Sequence, residues 1–99
     1  MKKHSIHDSL VDIVADRLEE YGYTVRKYVK YSDKYAVGEI DILAKRDRDY
    51  LIVEVKCNGR KEHATEQLHR ARGYVHREYH PNNIFMMYAS AKQGVHKIE

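Results

Sequence analysis

The chain has 99 residues, 42% of them hydrophobic and 33% charged, with nine Tyr, one Cys and a formal charge of +3. That length supplies one domain, residues 1–99, since domains usually run to roughly 100–150 residues. The spread of Val, Ile, Leu and Tyr excludes compositional disorder, no apolar run reaches the roughly 18–20 residues of a membrane span, and the lone Cys57 excludes an internal disulfide and a zinc-finger ligand set.

The opening Met1-Lys2-Lys3-His4 leads into an amphipathic segment and not an apolar one, so no secretory signal is expected and the location read from the sequence is intracellular, cytoplasmic. A helix is predicted from Ile6 to Tyr21, with Ser5 as N-cap, Asp8 closing a capping box, and Gly22 as the residue that ends it. Ile6, Leu10, Ile13, Val14, Leu18 and Tyr21 recur at helical spacing and predict its buried stripe. Tyr23 to Tyr31 alternates as a strand, and Ser32-Asp33-Lys34 reads as a turn. Two further strands, Gly38 to Ala44 and Tyr50 to Lys56, flank the all-charged Lys45–Asp49, which predicts an antiparallel hairpin with a five-residue loop. Asn58-Gly59 marks a turn, Lys61 to Tyr79 a second helix with Ala64, Leu68, Ala71 and Val75 inward, and Pro81 its stop. Ile84 to Ala89 reads as a fourth strand, with a short edge strand near Val95 to Ile98. The order α-β-β-β-α-β predicts an α/β fold, a mixed sheet flanked by helices.

Acidic residues fall inside the two apolar strands. Alternation puts Ile40 and Ile42 on one face of the second strand and Glu39, Asp41 and Leu43 on the other. In the third strand Ile52, Glu54 and Lys56 share a face opposite Leu51, Val53 and Val55. Buried carboxylates are costly unless paired, hydrogen-bonded or bound to metal. Two of them on neighbouring strands suit one Mg²⁺ or Mn²⁺, which takes oxygen ligands and keeps several waters. Such a metal activates a water for phosphodiester hydrolysis, and Lys56 beside it offsets transition-state charge. The plainer alternative is a same-face ion pair between Glu54 and Lys56, with Asp41 ending a strand.

Asp41, a gap to Glu54, one apolar residue and then Lys56 resemble the signature of the PD-(D/E)xK nucleases, with Ile40-Asp41 in place of Pro-Asp. Gly38-x-x-Asp41, Glu54-Val55-Lys56 and Gln67 also resemble the RecB-like branch, although the four cysteines of its iron–sulfur exonucleases are absent. The length and the helix–Gly–aromatic–strand opening look more like archaeal Holliday-junction resolvases and a small family typified by Gly-Glu-Ile-Asp and Val-Glu-Val-Lys motifs. The element order matches the restriction-endonuclease-like core, so the resemblance covers most of the chain. It implies that Asp41 and Glu54 bind Mg²⁺ or Mn²⁺, that the Val55 backbone carbonyl adds a ligand, and that Lys56 is catalytic. Resolvase-like members complete the site with an acid on the first helix. Here that position aligns with Val11, so His7, one turn earlier on the same face, is the expected third ligand, with Asp12 as runner-up. Glu39 either supports the site or faces solvent.

In RecB-like relatives a Gln on the second helix, with an aromatic four residues on, lies by the active site and the DNA. Gln67 fits as a catalytic residue, but position 71 is Ala71, and Tyr74 is expected as a partly buried aromatic. The excess of basic over acidic residues lies entirely in residues 51–99. Arg60, Lys61 and Arg70 on or beside this helix are expected to contact DNA phosphates, which position a duplex without reading its sequence. The reading is a metal-dependent DNA endonuclease, resolvase-like in its structure specificity and homodimeric, with Ile84–Tyr88 and exposed tyrosines as interface material. The rivals are a RecB-like exonuclease or single-strand nuclease, and a non-catalytic nucleic-acid-binding subunit that keeps the fold.

Overall fold

A computed structural model of the chain describes residues 5–57, 61–91 and 94–98. Its elements are α1 (Ile6–Glu20), β1 (Thr24–Ser32), β2 (Val37–Arg46), β3 (Asp49–Lys56), α2 (Lys61–Tyr79), β4 (Asn83–Ser90) and β5 (Gly94–Ile98). The predicted turn at Asn58-Gly59 lies outside the described residues.

The strands form one sheet in the order β1-β2-β3-β4-β5. β3 and β4 are parallel, because α2 carries the chain back across the sheet, and the other three pairs are antiparallel. α1 covers one face, packing Val11, Ala15 and Leu18 on Ile42, Ala44, Leu51, Val53, Val55 and Ala89. α2 covers the other, packing Ala64, Leu68, Ala71 and Val75 on Val29, Ile40, Leu43, Ile52, Met86 and Tyr88. Each large apolar side chain buried this way contributes about 1.5–3 kcal/mol against chain entropy. No helix among the described residues is long and apolar enough to cross a membrane.

Local chemistry sets the ends of the elements. Ser5 Oγ accepts from Asp8 N–H at 3.0 Å, capping α1 as expected. At the other end Gly22 takes φ +90, Tyr23 N–H donates to Leu18 O and Gly22 N–H to Glu19 O, closing a Schellman motif. α2 stops at His80, whose φ of 47 and following Pro81 both oppose continuation. Asp33 builds the β1–β2 turn by accepting from Tyr35 and Ala36 N–H at 2.9 and 2.8 Å.

Four expectations are corrected. The β2–β3 hairpin is tighter than the charged run suggests. Lys45 and Arg46 pair with Tyr50 and Asp49, leaving Asp47 (φ 57) and Arg48 as the turn. The buried line of α1 is Val11-Ala15-Leu18, because small residues let the helix approach the sheet, while Ile6, Ile13 and Tyr21 face outward. Ile40 and Ile42 do not share a face: Ile40 joins the α2 core and Ile42 the α1 core. The reason is a break in alternation, since β1 and β2 pair on both sides of Tyr28 and Asp41 but not at them, and Tyr28 sits at φ 54. β4 is an interior strand with Met86 and Tyr88 buried, so of Ile84–Tyr88 only Phe85 is well exposed.

Candidate active site

The polar residues gather where the ladder opens. β2 and β3 pair from Arg46↔Asp49 to Ile42↔Val53, while β3 continues against β4 as far as Lys56↔Ser90. Val55 lies in that extension, and side chains satisfy its backbone groups. Its N–H donates to Asp41 Oδ2 at 2.9 Å, and its carbonyl accepts from His7 Nε2 at 3.0 Å. His7 Nε2 also lies 3.4 Å from Asp41 Oδ2. Asp41 therefore stands at the mouth of a V between β2 and β3, with α1's first turn closing it through His7.

Glu54 comes from the α2 side of β3, and its Oε1 lies 3.5 Å from Lys56 Nζ. Asp41 and Glu54 are both 6% exposed. Burial pushes the Glu54 carboxyl up to about 8. The Asp41 charge pushes the same way and Lys56 opposes it. Among the described residues, two buried acids face one ammonium, which leaves the site short of positive charge.

A divalent cation fits that deficit. The donor set is two carboxylates, one backbone carbonyl and one imidazole, the oxygen-rich kind that suits Mg²⁺ or Mn²⁺. Among the described residues no three His, Cys, Asp or Glu side chains form a ready cation cage. Asp41 Oδ2 and Val55 O are engaged by protein N–H groups, so a cation would exchange with the His7 contacts.

Of the residues singled out in the sequence, His7, Asp41, Glu54, Val55 and Lys56 come together. Asp12 does not: it accepts from Lys27 Nζ at 2.8 Å and ties α1 to β1. Val11 is wholly buried in the core, and Glu39 is exposed. Gln67 turns its Oε1 into the interior, where that atom has no hydrogen-bond partner among the described residues. Arg70 is exposed, and its charge acts on the hydroxyl of Tyr31, which Glu54 also influences. Tyr74 stacks on Tyr31 at 4.7 Å between centroids, a packing role. Arg60 and the side chain of Lys61 lie outside the described residues.

Asp8 and Tyr28 also reach the site, and the sequence reading missed both as site residues. The Tyr28 hydroxyl donates to Asp8 Oδ1, which lies 3.6 Å from His7 Nδ1. Burial and then the Asp8 contact raise the Tyr28 hydroxyl above its ordinary range. The available signal was Asp8 and Asp12 one turn apart, an acidic edge beside His7 that faces Lys27-Tyr28 on β1.

No curated protein matches the chain. Among solved structures the chain is similar to the crystal structure of AF1548, a protein of unknown function, with 21% identity and a TM-score of 0.58 over 85% of this chain and 48% of that one. It thus spans about half the length of that protein, and the likeness carries the fold alone. The sequence profile of Mrr_cat, a restriction endonuclease family, matches residues 4–97. On that match the chain belongs to the Mrr_cat restriction endonuclease family, nucleases of the PD-(D/E)xK type.

Proposed function

We propose that the chain is a metal-dependent DNA endonuclease, structure-specific in the manner of a Holliday-junction resolvase, with Asp41, Glu54 and Lys56 at its catalytic centre. The observation that carries this reading is the convergence of two buried carboxylates and an ammonium group where β2 and β3 part. Asp41, Glu54, the Val55 carbonyl and His7 are the groups that would hold Mg²⁺ or Mn²⁺. Bound there, the cation polarises a phosphoryl oxygen and makes a water nucleophilic at neutral pH.

The chain's own residues do the remainder. Asp41 is fixed by the Val55 N–H, so its carboxylate keeps one orientation. Lys56 holds its ammonium beside Glu54, placed to offset charge that builds on the phosphate. Gln67 belongs to the proposed catalytic set through its unspent buried acceptor. Arg60, Lys61 and Arg70 are the proposed phosphate contacts. Homodimerisation is supported by an apolar groove of about 410 Å³ between α1 and β4–β5, rimmed by Ile13, Tyr21 and Val95. The absence of a disulfide partner for Cys57 agrees with an intracellular, cytoplasmic setting.

A second reading, a RecB-like exonuclease or single-strand nuclease, is favoured by one observation: the α1 side chain that touches Val55 O and Asp41 is a histidine. A panel of four-way junction, flap, single strand, linear duplex and supercoiled plasmid with Mg²⁺ or Mn²⁺ decides between them. The proposal expects junction cleavage and plasmid nicking with linear duplex left intact. Degradation only from free ends would contradict it.

A further inference from the structure

We propose that Asp8 and Tyr28 are positioning residues that hold the His7 imidazole against Asp41 and the Val55 carbonyl. This deepens the reading above and rests on His7 belonging to the reacting centre.

Polar groups face the ring along both edges. Nε2 faces Val55 O at 3.0 Å and Asp41 Oδ2 at 3.4 Å, while Nδ1 faces Asp8 Oδ1 at 3.6 Å. An imidazole on the first turn of a helix, with its side chain about one-third exposed, has room to turn away. With both ring nitrogens protonated, or with a cation on Nε2 and the proton on Nδ1, a carboxylate beside Nδ1 favours the rotamer that keeps Nε2 on Val55 and Asp41. Asp8 is in turn restrained, because the Tyr28 hydroxyl donates to the same Oδ1 that faces His7.

Tyr28 reaches Asp8 at a backbone conformation that bulky residues rarely take, φ 54. This is the position opposite Asp41, where the β1–β2 ladder skips one pair. One irregularity thus does two things: it releases Asp41 from the ladder, and it turns Tyr28 toward the first turn of α1. The Tyr28 ring lies 6.5 Å from that of His7, closing the same side of the site.

The contact is not needed to dock the helix. Val11, Ala15 and Leu18 anchor α1 in the core, and the pair between Asp12 and Lys27 ties it to β1 one turn further on. The contact between Asp8 and Tyr28 therefore bears on His7 more than on the docking of the helix. Groups that orient a metal-binding histidine through its other nitrogen are worth about 10–100-fold in metal affinity.

The test uses the full chain with nitrogen-15-labelled histidine. The imidazole signals of His7 are recorded without metal in wild type, Asp8→Ala, Asp8→Asn and Tyr28→Phe, and Mn²⁺ affinity is measured by calorimetry in each and in His7→Ala. Circular dichroism checks that each variant is folded. The expected result is a fixed His7 ring in wild type, averaged ring signals in Asp8→Ala, and an intermediate state in Tyr28→Phe. Mn²⁺ affinity falls about 10–100-fold in Asp8→Ala, less in Asp8→Asn, and in a double variant measured alongside, Asp8→Ala with His7→Ala, no further than in His7→Ala. An unchanged His7 spectrum in Asp8→Ala overturns the proposal. So does an equal loss of affinity with and without His7, which would leave only the charge of Asp8. If wild type takes up no Mn²⁺ while the His7 signals respond as expected, the positioning role stands and the metal reading of the site falls instead.

Discussion

The backbone N–H of Val55 donates to the carboxylate of Asp41 at 2.9 Å, across the point where β2 and β3 stop pairing. A side chain here takes over a bond that a neighbouring strand's carbonyl would otherwise accept. The carboxylate is thereby held at the end of the β2–β3 ladder, buried at the mouth of the V. Glu54 and Lys56 follow from the same strand, so the end of this ladder and the skipped pair between β1 and β2 together place the two carboxylates.

Stability should depend on pH through Glu54. Its folded-state value, about 8, stands above the ordinary 4.5. Between those two values the unfolded chain has lost the proton and the folded chain keeps it. The metal-free protein therefore loses stability as pH rises through that window and levels off above it. Urea midpoints at pH about 5 and about 8 should differ in wild type and much less in Glu54→Gln. Equal slopes in the two proteins would place the titration elsewhere.

A divalent cation should act against that trend. Mn²⁺ favours the ionised carboxyl, so its binding should release a proton and tighten as pH rises toward about 8. At a hundredfold excess over Kd it should stabilise the fold by about 2.7 kcal/mol. Removing it with EDTA should return the melting temperature to the metal-free value. Asp41→Ala should show no Mn²⁺-dependent rise, and a rise equal to wild type would count against Asp41 as a ligand.

Gly38→Ala should destabilise the fold, by about 1–3 kcal/mol as overpacking does. A Cβ there would meet the Tyr31 hydroxyl at 2.6 Å and its Cζ at 2.8 Å, and Tyr31 is pinned by its stack on Tyr74. The glycine is required by the side chain that lies across it, three residues before Asp41. Denaturant titration of Gly38→Ala alone and with Tyr31→Leu checks this. The double variant should recover part of the difference between Gly38→Ala and wild type.

Arg70→Ala should weaken DNA binding to all sequences alike. It should reduce the slope of log affinity against log salt by about one, as loss of a phosphate contact does. Fluorescence anisotropy at several salt concentrations gives the slope, and an unchanged slope would remove Arg70 from the DNA surface.

Much of this was legible in the sequence. α2 runs from Lys61 to Tyr79 as its stripe and Pro81 indicated, and the Asp41–Glu54–Lys56 grouping follows from acids set inside apolar strands. His7 is singled out by its place one turn before Val11, a core residue, and it lies against Val55 and Asp41. The rest was hidden for physical reasons. Nothing in the letters of Tyr28 announces a left-handed φ, so the face switch between Ile40 and Ile42 was invisible to a period-two pattern. The stripe of α1 was drawn through its largest apolar residues, whereas close approach to the sheet selected Val11 and Ala15. Lys45 and Arg46 read as loop because they are charged. They are strand ends that rest on the rings of Tyr50 and Tyr23.

The most direct test is cleavage of supercoiled plasmid and of a four-way junction by wild type, Asp41→Ala, Glu54→Gln and Lys56→Ala, in Mg²⁺, Mn²⁺ and EDTA. The account predicts cleavage by wild type with either metal and none in EDTA. Each variant should be at least about 100-fold slower while still binding the DNA. Cleavage at the wild-type rate in EDTA, or by the Asp41→Ala protein, would contradict it.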